Sequence, residues 1–190
     1  MTYAKGGAVL ALGVLGLLIV SPLRTALESR MWLHMGLQLP LIFCCGVAMV
    51  APWSQFIARI TAPWNSLGLV GLIFVSLTGL VWMIPRSLDA AVAYLSIDAL
   101  KFLSVWLAGS FALPSWSLAP TVVRGFIVGN AVWMACFVGV LLLDTELRVC
   151  NAYLLGDQKT TGQIIIGIAL LGGGLWLISV VRSSTQKAVV

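Results

Sequence analysis

The chain has 190 residues, 61% of them apolar and only 9% charged, with a mean hydropathy of +1.07. That leaves too little polar surface to clothe a water-soluble globule, and the formal charge of +5 reads as the basic flanks of membrane helices rather than as a nucleic-acid footprint. Several stretches run eighteen or more residues without a charge, the length a helix needs to cross roughly 30 Å of hydrocarbon, and the alternation of barrel strands is missing.

In chain order, the first expected span is residues 6–23, preceded by Lys5 and followed by the polar segment Arg24 to Arg30. Ser21-Pro22-Leu23 is a poor small-x-small cleavage site, so this span reads as a retained helix rather than a signal peptide. The second, 31–52, contains Pro40 as a kink. The connection Trp53 to Asn65 holds Arg59 and the aromatics Trp53 and Trp64, which suit the headgroup zone. A third span, 66–84, stops at Pro85-Arg86, and Ser87 to Leu95 reads as an interfacial turn or short helix. The fourth, 96–116, has Asp98 and Lys101 near its start, and Ser115 to Pro120 is short enough to be a tight reversal. The fifth is 121–143, the longest charged connection is Asp144 to Thr161, and the sixth is 162–181. The expected architecture is one all-α polytopic membrane bundle of about six transmembrane helices over residues 1–190.

Six spans put both termini on one side. Basic residues then divide almost evenly: Lys5, Arg59, Arg124, Arg182 and Lys187 lie on the terminal side, and Arg24, Arg30, Arg86, Lys101, Arg148 and Lys159 opposite, so they do not orient the chain. Acidic residues are one-sided. Glu28, Asp89, Asp98, Asp144, Glu146 and Asp157 all fall opposite the termini.

That side also holds the only histidine, His34, one turn into the second span and close to Arg24, Glu28 and Arg30. At about 100° per residue, Met31, His34, Gln38, Cys45 and Met49 share an arc of about 60°. These soft and borderline donors suit Cu(I); equally, Met and Cys are common apolar filler and Gln bonds across helices. The four cysteines, Cys44, Cys45, Cys136 and Cys150, lack zinc spacing and form no disulfide framework. One histidine cannot supply bis-histidine haem ligation, and no nucleotide, hydrolase or metalloprotease motif occurs, so the chain does not read as an enzyme. Asp98 and Lys101 stand at i, i+3 and read first as an ion pair at the membrane boundary, with a proton or ion pathway as the alternative. Gly109, Gly125, Gly129 and Gly172 to Gly174 read as positions of close helix packing.

The segment Met31-Trp-Leu-His34-Met35-Gly-Leu-Gln-Leu-Pro40-Leu resembles the His-Met helix, followed by Pro-Leu, of the CtaG family of cytochrome c oxidase assembly factors. The run Cys150-Asn-Ala-Tyr153-Leu-Leu-Gly-Asp157-Gln158-Lys-Thr-Thr-Gly162 resembles the Asp-Gln and following Gly with which that family enters a late helix; Ile84-Pro85-Arg86 and the helix ending near Trp116 lie between them in compatible order. The resemblance spans roughly residues 31–176. This chain keeps only His34 of the family's histidines, with Arg30 one turn before it.

The resemblance implies an assembly factor for a copper-containing respiratory complex in the bacterial inner (cytoplasmic) membrane, with cytoplasmic termini. Transient Cu(I) would be held by His34 with Met31 or Met35. Arg86, Asp98, Lys101, Tyr153, Asp157 and Gln158 would form a partner-facing surface, although Asp157 also reads as a cap of the last helix. The alternative is a non-catalytic accessory subunit of a larger membrane oxidase or copper monooxygenase, and a third reading is a small transporter with a water path past Asp98 and Lys101.

Overall fold

The structure, a computed structural model, describes residues 2–144, 150 and 152–188, and every regular element among them is helical. Five helical stretches are long and apolar enough to cross a membrane: Met31–Thr61, Ser66–Met83, Leu95–Leu118, Thr121–Asp144 and Leu155–Thr185. A sixth is formed if the bent pair Gly7–Ile19 and Pro22–Glu28 is one span. The chain is thus an all-α polytopic bundle.

Helix α1 (Thr2–Ile19) ends at Ile19, short of the Leu23 that hydropathy alone suggests. Pro22 is the reason. In a continuous helix Pro22 would leave the Leu18 carbonyl without a donor and press its ring against it, so the helix breaks at Val20, which turns extended, and α2 (Ser21–Glu28) restarts with the proline in its first turn. The two segments meet at 74°, and the segment Arg24 to Glu28, which reads as polar connection in the sequence, is helix folded back against the bundle.

The second span opens with the short α3 (Met31–Leu33), passes through a π-helical turn over His34–Gln38, and continues as α4 (Leu39–Val50). Pro40 explains the widening. In a regular helix its ring would press on the Gly36 carbonyl and leave it without a donor, and an i→i+5 turn relieves both problems. Beyond Val50 the chain stays helical through a 3₁₀ turn (Ala51–Trp53) and α5 (Ser54–Thr61), so most of the expected Trp53 to Asn65 loop is helix. Pro52 falls in the first turn of that 3₁₀ segment, where a missing amide breaks no bond.

A 3₁₀ turn (Ser66–Gly68) leads into α6 (Leu69–Met83), followed by α7 (Pro85–Ala93), the expected short helix. Then come α8 (Leu95–Leu118), α9 (Thr121–Asp144) and α10 (Leu155–Ala188). The final helix begins seven residues before the expected Gly162 and runs past Val181, because the polar stretch Gly156 to Thr161 forms its first turns rather than a loop. Residues 145–149 and 151 of the expected Asp144 to Thr161 connection lie outside the described residues.

Helices α4 and α8 run parallel in close contact. A Cβ at Gly46 would strike the Trp106 carbonyl and one at Gly109 the Phe43 carbonyl, so two glycines let the backbones meet. At the far end, the wholly buried Asn65 donates to Ser115 Oγ at 3.0 Å and accepts from the Gly71 amide at 3.1 Å. Gly68 there takes φ +68, with Ser115 backbone where a side chain would stand. Helices α9 and α10 pair antiparallel; Gly139 sits against Ile166 and Gly162 against Leu142 and Leu143, while Leu170, Leu171, Leu175 and Val181 face outward.

Candidate functional site: a buried charge cluster

The starts of α3 and α8 and the folded-back α2 meet at one end of the bundle. Lys101 lies six residues into α8, roughly 9 Å below its start at 1.5 Å per residue, and its side chain is 0% exposed. An ammonium at such depth is stable only if its three N–H groups are satisfied and its charge is balanced. Both conditions are met. Nζ hydrogen-bonds to Glu28 Oε1 at 2.8 Å, His34 Nε2 at 2.9 Å and Gln38 Oε1 at 3.5 Å, and lies 2.7 Å from Asp98 Oδ1 in an ion pair without hydrogen-bond alignment. Arg24 from α2 closes the group, its guanidinium 2.8 Å from Asp98 Oδ2 and 3.4 Å from Glu28 Oε2. Two cations face two carboxylates, so the cluster is neutral.

His34 is wholly buried. Its Nε2 faces an ammonium and must therefore accept, which assigns the ring proton to Nδ1; that N–H donates to the Tyr153 hydroxyl oxygen at 2.7 Å. Gln38, also wholly buried, donates from Nε2 to Glu28 Oε1 at 3.3 Å. His34 and Gln38 stand at the two ends of the π-helical turn, and the wide turn lets both reach the cluster.

The segment leading to α10 is fastened beside this cluster. The Cys150 thiol donates to the Pro85 carbonyl at 3.3 Å, and the Ala152 amide donates to Asp89 Oδ1 at 3.2 Å. Burial and the nearby Asp89 carboxylate push the Cys150 thiol up to about 12, and burial, with the Glu28 charge next, also raises the Tyr153 hydroxyl above the ordinary tyrosine range. Both groups are held neutral. The arrangement joins α2, the π-helical turn, α8 and the segment before α10 through one hydrogen-bonded network, and presents no free lone pair on the imidazole.

The fit to a Cu(I) ion fails on that point. Met31 and Met35 are buried near His34, but a metal needs an imidazole lone pair, and the only one is given to Lys101. The fixed ammonium 2.9 Å from that nitrogen also repels any second cation. Among the described residues no three His, Cys, Asp or Glu side chains are grouped to hold a metal.

Of the other residues singled out in the sequence, Asp98, Lys101 and Tyr153 come together, with Asp98 and Lys101 forming the expected i, i+3 pair. They are buried inside the network rather than displayed to a partner. Gln158 is buried at the α9–α10 contact, donating to the Leu142 carbonyl at 3.4 Å. Asp157 is half-buried in the first turn of α10, where its charge complements the helix N-terminus; because α10 starts at Leu155, it is not the capping residue. Arg86 stands apart and exposed, beside Asp89, Tyr94 and Ala152 around a cavity of about 750 Å³. Sequence reasoning placed Arg24 and Glu28 near His34 but gave them no role; their i, i+4 spacing was the available signal.

The chain matches no family model, no curated protein and no solved structure.

Proposed function

We propose that this chain is a non-catalytic membrane component that serves a copper-containing respiratory complex of the cytochrome c oxidase type, acting as an assembly factor through protein contacts rather than by holding Cu(I). The two segments that resemble the CtaG family lie far apart in the sequence, yet His34 of the first and Tyr153 of the second are hydrogen-bonded in the fold. That juxtaposition supports reading them as parts of one functional end of the bundle. On this reading the protein sits in the bacterial inner membrane with its termini in the cytoplasm and the cluster toward the periplasm.

The observation that carries the proposal is the engagement of both His34 nitrogens, one by Lys101 and the other by Tyr153. It replaces metal chemistry with a neutral, closed network that fixes the shape of this end of the bundle.

The test is extraction of native membranes in mild detergent, isolation through a tag on this chain, and measurement of partner stoichiometry and copper for wild type and His34→Gln. The proposal expects a substoichiometric oxidase-type partner and no copper beyond the partner's own in either preparation. A stoichiometric complex would make the chain an accessory subunit. Copper bound to partner-free wild type and lost from His34→Gln would overturn the protein-contact mechanism.

A further inference from the structure

The middle of α9 carries an amide where hydrocarbon is expected. Asn130 is the tenth residue of the 24-residue helix Thr121–Asp144, so it lies within about 5 Å of the midpoint at 1.5 Å per residue. It is exposed, and no described residue gives its side chain a hydrogen bond. An amide turned to acyl chains has no water to bond, so a polar residue at this depth ordinarily faces another helix. Around it the outward face of α9 presents Val122, Phe126, Gly129, Trp133 and Phe137, spaced by three and four residues as in a helix–helix seam. Trp133 is 75% exposed and Phe126 74%, while a Cβ at Gly129 would meet nothing within 4 Å, leaving the backbone approachable. Ser76, Leu77 and Leu80 of α6 form the other wall of a groove of about 310 Å³ beside Asn130 and Trp133.

We propose that this seam is the docking site for a second copy of the same chain, with Asn130 of each copy donating to and accepting from Asn130 of the other. Two features select that occupant. A primary amide is self-complementary, one N–H and one carbonyl matching the same pair across a twofold axis. Two copies inserted with the same topology carry Asn130 at the same depth, so the match in height is automatic, whereas another polypeptide must supply a polar group at that level. The seam also lies on α9, away from the charge cluster of α2, α8 and the π-helical turn, so pairing leaves that end of the bundle free. The inference does not rest on the oxidase reading.

The experiment reconstitutes the purified full chain, labelled with donor and acceptor fluorophores, into phosphatidylcholine vesicles and follows energy transfer as the protein is diluted into lipid. Wild type is expected to show a reversible dimer. Asn130→Val, whose lipid-facing position leaves the fold undisturbed by circular dichroism, is expected to weaken it about tenfold, as the loss of two intramembrane hydrogen bonds implies. Asn130→Gln, which keeps the amide, is expected to retain most of the pairing. A wild-type chain that stays monomeric at every dilution overturns the proposal, as does a dimer that Asn130→Val leaves unchanged. Either result is distinct from failure of the oxidase association, which is read in native membranes.

Discussion

Replacing Lys101 with methionine removes the central charge of the cluster while keeping an unbranched side chain of similar length. Glu28 and Asp98 are then left facing Arg24 alone, so a neutral group acquires one uncompensated negative charge, and His34 Nε2 loses its donor. The side chains are 0% exposed for Lys101, 9% for Glu28 and 4% for Asp98, so solvent does little to screen the imbalance. Breaking a buried pair by removing one partner typically costs about 3–5 kcal/mol, against roughly 0–1 kcal/mol for an exposed pair. We expect Lys101→Met to lose about 3–5 kcal/mol in reversible unfolding of the purified chain by rising SDS fraction in mixed micelles, followed by circular dichroism. Adding Glu28→Gln leaves Arg24 against Asp98 alone, balanced again, and should recover part of the loss, with a coupling of about 1–3 kcal/mol between the two substitutions. A loss below about 1 kcal/mol with additive double substitution would refute the inference that these charges act as one buried unit.

Tyr153→Phe removes the acceptor for the buried His34 Nδ1–H and should destabilise the chain by about 1–3 kcal/mol in the same unfolding assay, with no change in helix content. Cys150 tests the burial of the segment before α10. With its thiol raised to about 12, it should form thiolate at pH 9 roughly a thousandfold less than an ordinary cysteine, and iodoacetamide followed by peptide mass mapping should find it unmodified until the chain is unfolded. The sign for stability follows: the unfolded thiol ionises near pH 9 and the folded one only near 12, so this residue's contribution is complete below pH 9 and is lost as pH rises through that window. Rapid modification of folded protein at pH 9 would show that the Cys150 segment is open.

Hydropathy located the spans because the cost of unpaired backbone in lipid leaves a long apolar run few alternatives to helix. It misjudged their ends wherever a polar stretch was also helical, as at Arg24 to Glu28, Ser54 to Thr61 and Gly156 to Thr161. Such segments resemble connections to any measure that scores polarity without amphipathicity. The Asp98–Lys101 pair was legible because its spacing is local. What completes it was not. Glu28 reaches Lys101 only because Pro22 ends α1 and α2 folds back, and Tyr153 reaches His34 across a sequence separation of 119 residues. The Met–His–Gln stripe was read from regular 3.6-residue periodicity, which the π-helical turn interrupts, and its candidate metal ligand proved to be the acceptor of an ammonium.

That turn also bears on how this chain tolerates changes in length. Ahead of it, the backbone is phased so that Met31 and His34 point inward; after it, the phase is reset so that Gly46 meets α8. A regular helix through residues 34–38 would place one of these sets about 100° out of phase with its neighbour. Deleting a single residue such as Leu37 would close the turn to regular helix with both sets still in phase, at the expense of the room it gives Pro40, whereas a deletion elsewhere between His34 and Gly46 would turn the charge cluster and the glycine contact apart with every side chain of both still present. At this point the spacing between residues is as much a determinant of the structure as their identity.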